Sequence, residues 1–133
     1  HPAIDAAAVL HGKLQPSLDD IESVETEIYE FSLAHINRSN QQGELDAKFS
    51  VQYCTARALL EGCVVLEHFE NAAYDDKTMR ALMAKTTAIP IDVENQFIGN
   101  VKVTLKDGSV HVRMDPFMKK PRLCHQGAAR IIR

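Results

Sequence analysis

The sequence predicts an α+β fold, a small antiparallel or mixed sheet with helices packed on one face. Three observations lead there. Apolar residues recur at helical spacing in some stretches and at a period of two in others, and the two kinds do not alternate strictly along the chain. Asp107-Gly108 separates two runs of alternating apolar and polar residues, a hairpin signature. The chain has 133 residues, 45% hydrophobic and 25% charged, which suits one soluble domain with a single core.

The elements follow in order. Pro2 to Leu14 reads as a helix. Pro is favoured in a first helical turn, where its missing N–H costs nothing, and Ile4, Ala7, Ala8 and Leu14 can share a face. Gly12 weakens its end, and Pro16 to Asp20 is a turn cluster. Ile21 to Ile36 reads as a strand region, with acidic residues alternating outward. Arg38 to Gly43 is a polar loop. A second long helix runs from Ser50, a good N-cap, to Gly62, a good residue just past a helix end. An apolar connector and a short helical turn over Phe69 to Tyr74 precede a third helix, Lys77 to Lys85, capped by Asp75 or Asp76. Thr86 to Asp92 is β-like. Phe97 to Leu105 and Ser109 to Met114 form the hairpin, with Val101, Val103 and Leu105 alternating before the turn and Val110 and Val112 resuming after it.

The charge balance narrows the partners. Fifteen basic and eighteen acidic residues give a net charge of −3. Mixed signs along the chain argue against nucleic acid, which needs a concentrated basic surface. The basic residues Lys119, Lys120, Arg122, Arg130 and Arg133 read as a solvated end. No apolar run approaches the roughly 20 residues that cross a bilayer, so no membrane partner is expected. Cys54, Cys63 and Cys124 are an odd set without a CxxC pair. That reads as neither a disulfide framework nor a zinc site, and points to a reducing, cytoplasmic setting. The chain opens at a helix start with His1 and no Met, which suggests a piece of a longer protein. A copper site at an N-terminal His1 is disfavoured by that helical start, and no metal is expected. The HExxH, phosphate-loop and dinucleotide motifs are absent from the sequence.

Two stretches carry a resemblance: His1-Pro2-Ala3-Ile4-Asp5-Ala6, and Lys48-Phe49-Ser50-Val51-Gln52-Tyr53 continuing to Leu59-Leu60-Glu61-Gly62. They resemble the MmgE/PrpD family, which includes 2-methylcitrate dehydratase, cis-aconitate decarboxylase and iminodisuccinate epimerase. The Asp76 to Lys85 helix and the Val101 to Val112 hairpin fall in the family's order. The resemblance covers residues 1–116, leaving 117–133 as an atypical tail. It implies the smaller C-terminal α+β domain, likened to chorismate mutase, with the family's N-terminal all-helical domain absent from this chain. It also implies cofactor-independent lyase or isomerase chemistry on small di- or tricarboxylic acids, of the propionate-catabolism kind, in a homodimer.

The resemblance points to His1 and Tyr53 as catalytic residues and to Lys48 and Ser50 as substrate-binding residues. The chemistry is consistent with this. Histidine titrates near neutrality and can move a proton. A helix start capped by Ser50, with Lys48 adjacent, can cradle a carboxylate. Without the resemblance, His1 reads as an exposed chain end, and Ser50 and Tyr53 as an ordinary capped helix with the tyrosine half buried. Asp5 lies one turn along from His1 and can orient it or simply complement the helix dipole. His11, His35, His68, His111 and His125 read as structural, and Cys54 as a small buried residue. The rival function is a non-catalytic fragment serving as a lid or dimerisation module.

Overall fold

The computed structural model describes residues 2–37, 43, 45, 47, 50–70, 73–92 and 98–116. Its elements are α1 (Pro2–Leu14), β1 (Ile21–Tyr29), α2 (Glu30–Ile36), α3 (Val51–Glu61), α4 (Lys77–Ala84), β2 (Thr86–Ile91), β3 (Ile98–Leu105) and β4 (Val110–Pro116). Short 3-10 turns occupy Leu18–Asp20, Leu66–Phe69 and Ala73–Asp75. The fold is the expected α+β layer. Among the described residues no helix is long and apolar enough to cross a membrane.

The sheet is mixed and runs β2-β1-β3-β4. β1 pairs in parallel with β2, while β1–β3 and β3–β4 are antiparallel. Val24, Thr26 and Ile28 of β1 are buried at period two. Ile21 is also buried, three residues before Val24. A register shift between Ile21 and Ser23 resets the alternation there, as a bulge does. Pro90 donates no ladder hydrogen bond and lies in β2, an edge strand, where that loss is tolerated.

One expectation changes. The strand stops at Tyr29, and Glu30–Ile36 is helical. Tyr29 is the last β1 residue paired with β2. Beyond it, Leu33 is buried and Ile36 packs against the core, a spacing of three that suits a helix face. The hairpin forms where expected. Its turn is closed by Gly108 N–H to the Leu105 carbonyl and Leu105 N–H to the Ser109 carbonyl, with Gly108 left-handed at φ +91°. The resulting register sets His111 opposite Val103 and Arg113 opposite Val101. Val110 and Val112 therefore leave the core face and are 50% and 63% exposed.

The helices supply the rest of the core. α1 packs along α3 and over β3 and β4, and α4 packs on α3. Ala3 and every residue from Asp5 to Leu10 are buried, so α1 is enclosed around much of its circumference, and its buried side chains are mostly small. α3 is the central helix: every residue from Val51 to Leu59 is buried. That enclosure makes its polar residues, Ser50, Gln52, Tyr53, Thr55 and Arg57, unusual for buried positions.

Cys54 is the free cysteine among the described residues. Burial pushes its thiol up to about 12, and its Sγ donates to the Ala47 carbonyl. Native protein is expected to resist thiol alkylation at Cys54 until unfolded, checked by mass spectrometry after labelling with and without denaturant. Cys63 is disulfide-bonded, contrary to the expectation that the cysteines form no disulfide.

Candidate functional site

α3 is built by its caps. Ser50 is the N-cap, and its Oγ accepts the Tyr53 N–H at 3.1 Å. Gly62 ends the helix in the left-handed region at φ +83°, its N–H bonding the Ala58 carbonyl at 2.8 Å. At that end His11 of α1 takes over a further orphan carbonyl, with Nδ1 donating to Leu59 O at 2.9 Å. The His11 ring lies so close to Gly62 that a Cβ there would come within 2.7 Å of it.

These contacts orient the helix pair. α1 packs along α3, and its residue 11 meets residues 59 and 62. An antiparallel pair would set His11 against the first turn of α3 instead. The two helices therefore run in the same sense, with their starts on one side of the molecule. Asp5, in the first turn of α1, is buried.

Tyr53 is fully buried rather than half buried. Its hydroxyl donates to the His68 carbonyl and accepts Arg57 Nε–H at 2.9 Å. Its ring meets Phe69 edge-on, with centroids 5.7 Å apart. Burial raises the Tyr53 pKa, and the hydrogen bond and charge of Arg57 offset part of that rise. Ser50 and Tyr53 are thus joined by the cap. His1 and Lys48 lie outside the described residues.

Three further residues join this cluster: Arg57 and Glu61, to which the sequence reading gave no role, and His68, which it read as structural. Arg57 donates from Nη1 to Glu61 Oε1 and from Nη2 to the Ala73 carbonyl, both at 2.9 Å. The other Glu61 oxygen lies 2.6 Å from His68 Nε2. His68 Nδ1 accepts the Val65 N–H at 3.2 Å. The stripe 53, 57, 61 is an i, i+4, i+8 series and was legible as one helix face. His68 was not, because a 3-10 turn brings it back onto that face.

Glu61 has a directional pH consequence. Burial pushes its carboxyl up, but His68 and Arg57 outweigh this and hold it below the ordinary value. A depressed carboxyl adds stability above the unfolded-state pKa of about 4.3. That contribution disappears as pH falls through the folded-state value. The thermal unfolding temperature is expected to fall over that acid range, and Glu61→Gln is expected to flatten the dependence.

Among the described residues no group of three or more His, Cys, Asp or Glu is placed to hold a metal ion. Two open grooves flank α3 and the hairpin. One of about 400 Å³ is lined by residues that include Arg57, Glu61, Asp76 and Met79. One of about 300 Å³ lies between Leu14 and the Lys106-Asp107 turn. Neither touches Ser50 or Tyr53.

The class this defines is an α+β domain built around a buried central helix that carries Gln52, Thr55 and Arg57. Residues 1–121 match the MmgE/PrpD C-terminal domain, and the chain belongs to that family. No curated protein matches the chain.

Proposed function

We propose that the chain forms one wall of the active site of a cofactor-independent lyase, of the 2-methylcitrate dehydratase kind. It would act by acid–base chemistry on small di- or tricarboxylic acids. The family's helical domain supplies the facing wall, and the enzyme is a homodimer. The observation that carries this reading is the shared sense of α1 and α3. It brings the start of the helix that follows His1 to the same side as the Ser50-capped start of α3. The first-turn amides there favour an anion. Lys48 adds positive charge, and His1 moves the proton. For Tyr53, its buried and doubly bonded hydroxyl favours holding the helix start in place over direct proton transfer. A cytoplasmic setting belongs to the same proposal, and the Cys63 disulfide weighs against it.

The test uses the enzyme carrying both domains, assayed on 2-methylcitrate, citrate and cis-aconitate. His1→Ala is expected to lower kcat by about 10²–10⁴-fold, the usual worth of a general acid or base. Unchanged turnover rejects the role of His1. The second reading, a lid or dimerisation module, is favoured by the open grooves and the inaccessible Tyr53 hydroxyl. Turnover by this chain without the helical domain would refute it.

A further inference from the structure

Tyr53, Arg57 and Glu61 stand one turn apart on α3, and all three reach the same neighbour, the 66–75 stretch. Tyr53 bonds the His68 carbonyl and Arg57 the Ala73 carbonyl, while Glu61 Oε2 lies 2.6 Å from the His68 ring. Arg57 is central to this set. Each of its three guanidinium nitrogens has a named acceptor, and its charge lies 5.5 Å from the centroid of the Tyr53 ring.

We propose that Arg57 is a positioning residue that fixes the direction in which the Tyr53 hydroxyl donates, and with it the ring that props the first turn of α3. The argument is one of donors and acceptors. Arginine has no acceptor and does not lose its proton in proteins. Once Nε–H is donated into the Tyr53 oxygen, the hydroxyl proton must turn elsewhere, and the His68 carbonyl receives it. Glu61 holds the guanidinium in plane through Nη1, and His68 engages the second carboxylate oxygen. Lysine cannot reproduce this, because a single ammonium does not span three acceptors in a fixed fork. The titratable and charged groups around Tyr53 are Arg57, Glu61 and Cys54 of α3, with the 66–69 turn contributing the His68 carbonyl and the Phe69 ring. The catalytic meaning of this arrangement rests on the function proposed above, but the arrangement can be tested without it.

The experiment is NMR of the chain with ¹³C-labelled tyrosine, the Tyr53 signal being identified by its loss in Tyr53→Phe. In Arg57→Met the Tyr53 Cζ resonance is expected to move and its ionisation midpoint to rise, since burial then acts without the offset. Tyr29, on β1, is expected to stay in place. In Arg57→Lys the resonance also moves, with a smaller rise in the midpoint because the charge is kept. An unmoved Tyr53 resonance in folded Arg57→Met overturns the proposal. If that variant does not fold, an unmoved resonance in Arg57→Lys does so. The same variants in the two-domain enzyme separate the two claims. A moved Tyr53 signal with unchanged turnover upholds the positioning role and counts against the proposed site. A fall in kcat with Tyr53 unmoved overturns the positioning role and leaves the site standing.

Discussion

Tyr53→Ala is expected to destabilise the domain by about 3–5 kcal/mol, the range for removing a large buried aromatic. The ring has no exposed surface and packs edge-on against Phe69. The truncation leaves a cavity beside α3 and also strips partners from Arg57 Nε and the His68 carbonyl. Tyr53→Phe separates the two losses. It keeps the ring and removes only the hydroxyl, so about 1–3 kcal/mol is expected, the cost of leaving buried polar groups unpaired. Denaturant unfolding of the two variants beside the parent chain checks both values. Equal losses in the two would mean that packing of the ring contributes little. A domain of this size has only about 5–15 kcal/mol in hand, so the alanine variant is expected to be partly unfolded at 37 °C.

Gly62→Val has the second large effect, about 2–6 kcal/mol, from two separable causes. Gly62 sits at φ +83°, where a non-glycine residue costs about 1–3 kcal/mol. A side chain there also drives into the His11 ring, whose nearest atom is 2.7 Å from the position of a Cβ. Overpacking of that kind costs about 1–3 kcal/mol. A double-mutant cycle with His11→Ala isolates the second cause. In the His11→Ala background, the added loss from Gly62→Val is expected to fall to the backbone share alone. A loss unchanged by His11→Ala would show that the ring yields freely. His11→Ala alone is expected to cost less, since its main loss is the bond to the Leu59 carbonyl.

Much of the fold was legible because local chemistry announced it. Pro2 opens α1, Ser50 and Gly62 bound α3, Asp76 caps α4, and Gly108 takes the left-handed turn position. Each residue does there what its own backbone or side chain favours. The error arose where a neighbour decided. Glu30 to Ile36 continues the composition of the strand before it, but β1 loses its β2 partner after Tyr29. Val110 and Val112 alternate as expected, and the register of the turn decides that they take the open face.

The candidate site divides in the same way. The Lys48 to Tyr53 run and the His1-Pro2 start could be read as motifs, because each is a contiguous stretch. The Arg57–Glu61–His68 set could not, since His68 reaches α3 only through a 3-10 turn whose geometry no short motif encodes.

The sequence by itself determined the α+β class, the helix caps, the hairpin turn and the family, all of which depend on residues close together in the chain or on their order along it. Tertiary structure alone decided that Tyr53 is fully enclosed, that α1 and α3 run in the same sense, and that Arg57 binds three acceptors from two segments. Those outcomes depend on which surfaces meet. Burial and hydrogen-bond pairing between distant segments are properties of the packed chain, and no single stretch of residues specifies them.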